Sequence, residues 1–225
     1  KLEQKLNQKF TIDVLIKVLD ITNETDLINF NDHLISKKIY LSGLINNAAR
    51  NPKVEDDEIS LSRLESFPIN EWNLDISVGL TGAFLCAKVF GTHMAEYSKK
   101  GVILNVSSDL GLIGPDQRLY KQNDVKENDQ PVKPVTYSVV KHGIIGLTKY
   151  LATYWPGVIR SNALCPGGVE NNQGKEFIIK ISDKIPMNRM AKKDEYQGTI
   201  IYMLSDASSY LNGAVIPVDG GRTAW

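Results

Sequence analysis

Short apolar runs, each ending on a polar or small-residue tip and followed by a longer stretch at helical spacing, recur through this chain and constrain its fold more than any other feature. Val14 to Leu19 is a compact run rich in branched residues, suited to a strand buried on both faces, with Asp20 at its C-terminal end. Thr25 to Ile35 returns to helical spacing. Leu41 to Ile45 makes the next short strand and runs into Asn46-Asn47-Ala48-Ala49, after which Pro52 marks a loop. Trp72 to Tyr97 carries apolar residues at helical spacing for several turns, with Gly101 closing the helix before a strand from Val102 to Val106 and its tip Ser107-Ser108. The spacing predicts a long helix over Thr136 to Tyr154 and a strand over Val158 to Leu164 that leads into Cys165-Pro166-Gly167-Gly168. A helix over Lys193 to Leu204 and a last strand over Ala214 to Val218, ahead of Asp219-Gly220-Gly221, complete the pattern. At the start, Leu2, Leu6 and Phe10 share one face of a short amphipathic helix already in progress at residue 1.

Parallel neighbours need crossover connections, so strands alternating with helices throughout argue for an α/β fold: a doubly wound parallel sheet covered on both faces. A chain of 225 residues buries one good core, and a single domain over 1–225 is expected. Ligands of such sheets bind beyond the C-terminal strand ends, where Asp20, Asn46, Ser108 and Pro166 are expected to converge. The 26 Lys and Arg balance the 26 Asp and Glu without long blocks of either sign, which gives no reason to expect a nucleic-acid or membrane-surface partner. Cys86 and Cys165 are far apart and outside any Cys/His cluster, so neither a disulfide framework nor a metal site is expected. No apolar run approaches the ~20 residues of a membrane span and the first residues do not resemble a signal peptide, so a cytoplasmic location is expected.

Tyr137 and Lys141 lie four apart on a helix and so share a face. A free phenol has a pKa near ~10, and a cation beside it must stabilise the phenolate before it can act as a base near neutrality; lowering that pKa by ~2 units takes ~2.7 kcal/mol. His33, His93 and His142 sit in expected helices without carboxylate or cysteine clusters and read as satisfied histidines rather than ligands. Trp72 and Trp155 read as helix packing.

Taken in order, Asn46 to Ala49, Asn105-Val106-Ser107-Ser108, Tyr137 to Lys141, Asn162 to Val169 and Val218-Asp219-Gly220-Gly221 resemble the short-chain dehydrogenase/reductase family, and the resemblance extends from Val14 onward. It implies a Rossmann-type fold, NAD or NADP as cofactor, and hydride transfer at an alcohol or carbonyl carbon of a small molecule. Carried across by position, Tyr137 would be the general acid/base, Lys141 would lower its pKa and hold the nicotinamide ribose, and Ser108 would hydrogen-bond the reacting oxygen. Ser107 would instead satisfy backbone groups at the strand end. Asp20 and Ile21 would lie against adenine, Asn47, Ala48 and Ala49 beside the adenosine half, and Pro166, Gly167 and Val169 beside the nicotinamide. Taken without the resemblance, Asp20 reads as a turn or helix cap. Family members commonly form tetramers or dimers through long helices, so a homo-oligomer is expected, with Trp225 reaching towards a neighbour.

Two departures stand out. The family's glycine-rich turn does not occur in the sequence, and because the chain opens inside a helix a preceding βαβ segment of ~30 or more residues is expected outside it. Gly79, in Val78-Gly79-Leu80-Thr81-Gly82, stands where the family usually has an asparagine whose backbone carbonyl holds a relay water. Glycine inside a helix costs ~1 kcal/mol relative to alanine, so a kink or close packing is expected there.

Between the third strand and the Tyr137 helix lies a long polar insertion, 113–135, which is either a substrate lid or a surface excursion. On the first reading Arg118 and Tyr120 bind a hydroxyl-rich or charged sugar. The segments Ser77 to Phe84, Pro115 to Tyr120, Pro131 to Ser138 and Pro186 to Ala191 are similar to the family branch associated with flagellin glycosylation and legionaminic-type nonulosonic-acid synthesis, implying a sugar or nucleotide-sugar substrate. The competing readings are a binding or scaffold protein that kept the fold without catalysis and a dehydratase or epimerase of the same fold.

Overall fold

A computed structural model describes residues 6–7, 9–10, 12–50, 62–123 and 125–225. Four strands, β1 (Gly43–Asn46), β2 (Gly101–Val106), β3 (Ile159–Pro166) and β4 (Val215–Val218), form one parallel sheet in the order β1-β2-β3-β4. Helices α1 (Glu24–Ser36), α2 (Ile69–Ser98), α3 (Val135–Tyr154), α4 (Lys175–Ser182) and α5 (Gln197–Leu204) cover it. Successive residues of a strand point to opposite faces, and β2 shows the consequence. Ile103 packs with Ala87 and Met94 of α2 and Leu151 of α3, whereas its neighbour Leu104 packs with Leu164 and with Met203 of α5. Both faces are therefore covered, and β2 and β3 are buried along almost their whole length, as a doubly wound sheet requires, although β3 carries Arg160, Ser161 and Asn162.

Helix α2 widens into π-type turns at Ser77–Thr81, Ala87–Gly91 and Met94–Ser98. It is long and apolar enough to cross a membrane, yet 56% of its most apolar stretch is buried inside the molecule, against α1, α3 and the sheet. The helix ends at Lys99, which takes the left-handed conformation (φ 55°). Gly101, expected as that terminator, instead opens β2, where a side chain would collide with Met94, its Sδ only 2.8 Å from the added Cβ.

The expected strand Val14 to Leu19 does not form: these residues pair with no strand among the described residues, and Val18 is 95% exposed. An apolar run becomes a strand only when a neighbour supplies its hydrogen bonds. Here Leu19 and Ile21 merely pack over Leu27, Leu85, Cys86 and Phe90. Other boundaries move by a few residues: the helix expected from Lys193 starts at Gln197, and α4 was not expected at all. At the N-terminus Leu6, Asn7 and Lys9 are helical, and Leu2 lies outside the described residues.

Candidate active site at the strand tips

A polar ladder fixes the upper edge of the sheet. Asn46 donates to the Asn105 amide oxygen (2.8 Å), Asn105 to the Thr148 hydroxyl (3.0 Å), and Thr148 to the Ile144 carbonyl (2.8 Å), tying β1 and β2 to α3. The serine pair just beyond β2 then divides by its hydrogen bonds. Ser107 donates to the Lys141 carbonyl (2.7 Å), as expected of a hydroxyl satisfying backbone, whereas Ser108 makes no such backbone donation; both line the crevice. The glycine two residues beyond Asp109 makes this docking possible: a Cβ on Gly111 would run into Ser107 Oγ and stand 2.8 Å from the Lys141 carbonyl oxygen.

Helix α3 is held by its first turn, where Thr136 donates to Asp75 of α2 (2.5 Å), whose other oxygen pairs with Arg50 (3.1 Å). Next to it Gly79 is buried, and the expectation of close packing holds: an added Cβ would stand 2.6 Å from Val140 Cγ1. Tyr137 and Lys141 consequently project from α3 into a crevice of about 760 Å³, which Asn47, Ala49, Ser108, Asp109, Tyr120, Lys133, Pro166, Gly167 and Val169 also line. Lys141 donates to the Val106 carbonyl (3.0 Å) with its Nζ 5.8 Å from the Tyr137 ring centroid; Lys133 lies closer over that ring, at 3.8 Å. Tyr196 donates to the Gly167 carbonyl (2.9 Å) and secures the Pro166-Gly167 turn.

The electrostatics differ from the expected phenolate-stabilising cation. Burial pushes the Tyr137 phenol up, a hydrogen bond with Ser108 opposes this, and the Asp109 carboxylate adds to it. Burial also depresses Lys141, and it brings Lys133 down to about 8. The lysine is turned to a carbonyl rather than the phenol oxygen, so desolvation wins and the phenol is held protonated. Ser108 donates to Asp109 Oδ1 (2.7 Å), and Asp109 Oδ2 takes an Arg222 guanidinium hydrogen (2.8 Å). Asp109, Arg222, Lys133 and Gly111 are the members of the site that sequence reasoning missed.

Not every expected residue reaches the crevice. Ala48 is not among its lining residues, nor are Asp20 and Ile21. Asp20 accepts from the Thr22 amide (2.9 Å) and hydroxyl (2.7 Å), and these bonds hold its carboxyl below the usual range, so it works as a turn cap ahead of the Asn23 cap of α1. Ile21 lies against Gly82 and in the Leu27 cluster. Arg118 is turned to solvent, paired twice with Asp116 at 2.8 Å, whereas Tyr120 lines the crevice, packs at a tilt against the Phe177 ring and is pushed up to about 12 by burial. The insertion is packed at its two ends and exposed between them: Leu119 packs with Ile181, Ile185 and Met190, the buried Gln130 amide bonds the Gln122 backbone, and Lys126 to Asp129 face solvent. His93 is a satisfied core histidine, accepting from the Leu41 amide (3.1 Å) and bonded to Asn31 (2.7 Å), with burial lowering its pKa. Trp155 packs in the core against Gly91.

The "short chain dehydrogenase" family model matches residues 1–120, and the "Enoyl-(Acyl carrier protein) reductase" model matches residues 124–223. The chain belongs to the short-chain dehydrogenase family. Among individual relatives, an NADP-dependent mannitol dehydrogenase of Alternaria alternata is 34% identical over 68% of this chain and 53% of its own length. The crystal structure of a short chain dehydrogenase from Leptospira borgpetersenii with bound NAD+ is 32% identical, covers 91% of this chain and 73% of that one, and superposes with a TM-score of 0.80. A putative NAD(P) dependent gluconate 5-dehydrogenase of Beutenbergia cavernae with bound NADP is 25% identical over 100% of this chain and 82% of its own, with a TM-score of 0.81. The chain spans about half to two thirds of the length of the first curated relatives, 53% and 66%.

Proposed function

We propose that this chain carries the catalytic residues of an NAD(P)-dependent oxidoreductase that interconverts a carbonyl and an alcohol on a sugar-type substrate. The observation that carries the proposal is the meeting of Ser108, Tyr137 and Lys141 at the strand tips, on the wall of one crevice. The residues present fit a nicotinamide nucleotide. A crevice of about 760 Å³ is of ligand size, Asn47, Ala49, Pro166, Gly167 and Val169 line it, and the Lys141 ammonium, donating to one backbone carbonyl, has further N–H groups for ribose hydroxyls. When bound, that cofactor supplies or accepts the hydride.

The chain's own residues handle the proton. Burial keeps the Tyr137 phenol protonated, ready to give its proton to the oxygen of a carbonyl that is being reduced, and the Ser108 hydroxyl orients that oxygen. Lys141 would hold the ribose through the N–H groups that its bond to the Val106 carbonyl leaves over. In oxidation the same groups act in reverse.

Three strands of support favour a sugar derivative. The relatives named above include a mannitol and a putative gluconate dehydrogenase. Tyr120, Gln122, Asn171, Asn172 and Gln173 give the crevice wall a hydroxyl-binding character. The segments similar to the flagellin and nonulosonic-acid branch contribute Leu119, Tyr120, Pro131, Lys133, Tyr137 and Met190 to that wall, which supports a nucleotide-sugar or amino-sugar substrate in glycan synthesis. A homo-oligomer is supported by the exposed apolar side chains Leu74 and Phe84 on α2 and Val139, Tyr150 and Tyr154 on α3. A reducing, cytoplasmic setting is supported by Cys86 and Cys165, both buried and unpaired.

The test is fluorescence titration of NADH and NADPH into the protein at its full natural length, followed by turnover assays with polyols, aldonates and nucleotide sugars. Saturable binding of at least one nucleotide and turnover that depends on Tyr137 are expected. Failure of both nucleotides to bind would overturn the oxidoreductase reading.

A further inference from the structure

Hydride and proton transfer as proposed above leave the buried Asp109–Arg222 pair without a role. Stability does not account for it, since a buried ion pair replaced by apolar residues of similar volume is often neutral or stabilising. Its geometry points elsewhere. The two side chains are 4% and 8% exposed, and one carboxylate oxygen faces each of two partners: Oδ2 takes the Arg222 guanidinium at 2.8 Å, and Oδ1 takes the Ser108 hydroxyl at 2.7 Å.

A serine hydroxyl has one hydrogen. Given to Asp109, that hydrogen is withdrawn from the Tyr137 oxygen, whose pKa a hydrogen bond from Ser108 lowers, while Ser108 Oγ accepts from the Leu110 amide at 3.2 Å. Arg222 in turn is placed by a turn built for the purpose. The Asp219 carboxylate gathers the Gly221 amide (2.9 Å) and the Thr223 amide and hydroxyl (2.9 and 2.6 Å), while Gly220 and Gly221 take left-handed conformations at φ 66° and 89°. The motif at the C-terminal end of the sheet thereby delivers a guanidinium to the residue that follows the serine.

We propose that Asp109, anchored by Arg222, is a positioning residue that fixes the direction of the Ser108 hydroxyl and, through it, holds the proton on Tyr137. The carboxylate keeps the serine hydrogen away from a phenolate, so the phenol form is favoured until substrate oxygen competes for the serine. The proposal rests on the reading of Tyr137 as proton donor, but its test does not need that reading to succeed. The charged and titratable groups facing Tyr137 are Asp109 after β2, Arg222 of the C-terminal turn, Tyr120 and Lys133 of the insertion, and Lys141 of α3 itself. All but Asp109 stay constant in the comparison.

Tyrosine ring carbons are labelled, the Tyr137 signal is assigned with Tyr137→Phe, and its titration is followed by NMR without nucleotide or substrate. Asp109→Asn is expected to lower the Tyr137 pKa by about one unit, a tenfold gain in phenolate at a given pH, and by less than about a third of that in a Ser108→Ala background. Equal shifts in both backgrounds would show an action through space alone and overturn the proposal, as would no shift in either. If Asp109→Asn does not fold, Arg222→Lys is put through the same pair of backgrounds with the same criteria. Where turnover is measurable, Asp109→Asn and Ser108→Ala are expected to be non-additive in kcat with KM little changed, and full additivity would overturn the relay. A protein that binds no nucleotide would sink the proposed function, whereas the titration decides the relay on its own.

Discussion

Adding one methyl group to Gly79 tests how closely α2 and α3 approach behind Tyr137. The new Cβ would stand 2.6 Å and 3.3 Å from the two Val140 methyls, against an optimum of ~3.5–4.0 Å for carbon pairs, so something must move by ~1 Å. Val140 cannot turn aside cheaply, because a branched side chain on a helix has one favoured χ1 and this one is buried beside Ala83 and Ile144. Overpacking of this kind costs ~1–3 kcal/mol, whereas glycine to alanine in a helix gains ~1 kcal/mol. Gly79→Ala should therefore lose between ~0 and ~2 kcal/mol net. Gly146 of the same α3 helix provides the control: it is exposed, a Cβ there meets nothing within 4 Å, and Gly146→Ala should gain ~1 kcal/mol. At ~2–4 °C per kcal/mol for a chain of this size, the two variants should separate in Tm by several degrees and in the midpoint of urea unfolding. In a Val140→Ala background the collision disappears, and Gly79→Ala should then become stabilising. If Gly79→Ala stabilises the otherwise unaltered protein as much as Gly146→Ala does, the close approach is not there. The substitution also bears on function, because the displaced Val140 lies three residues beyond Tyr137; turnover should fall more than nucleotide affinity does.

Further expectations follow from single contacts. Tyr137→Phe should reduce turnover by at least ~100-fold, the lower end for a lost general acid, while nucleotide binding by fluorescence stays within a few-fold, and retained turnover would remove Tyr137 from the chemistry. Arg222→Met strands the buried Asp109 carboxylate and should cost ~3–5 kcal/mol in urea unfolding, whereas a loss below ~1 kcal/mol would mean that the pair is solvated. Lys133, brought down by burial to about 8 from an ordinary 10.5, binds fewer protons folded than unfolded between those values. Stability therefore rises with pH through that window, and the penalty is fully present below about 8. The unfolding free energy of the unaltered protein should accordingly rise relative to that of Lys133→Met as pH is raised from 8 to 10.5, and a pH-independent difference would contradict the burial.

What the sequence made legible is what depends on near neighbours along the chain. The runs Val102 to Val106 and Val158 to Leu164 are long enough in branched residues to announce β2 and β3, and the four-residue spacing of Tyr137 and Lys141 on a helix needs nothing beyond α3 itself. The split between Ser107 and Ser108 was legible only through the family resemblance, since both line the crevice and what separates them is that one bonds the Lys141 carbonyl and the other Asp109. Val14 to Leu19 shows where this ends: composition reports that a run would suit a strand, but hydrogen bonding to a neighbour decides whether it is one, and no neighbour is written into the run. Asp20 and Ile21 then lose the strand tip that would have aimed them, and local bonds to Thr22 and packing on Gly82 take over. Asp109 and Arg222 lie 113 residues apart, and their meeting depends on the register of β3 with β4 and on the Asp219 turn, so neither residue carries a local mark of the other. The same holds for Lys133, whose place over the Tyr137 ring follows from how the insertion packs on α4 through Leu119 and Tyr120. The acid/base pair of this site is thus written in one helix, whereas the charges that set its protonation come from three distant segments and exist as a set only once the sheet is assembled.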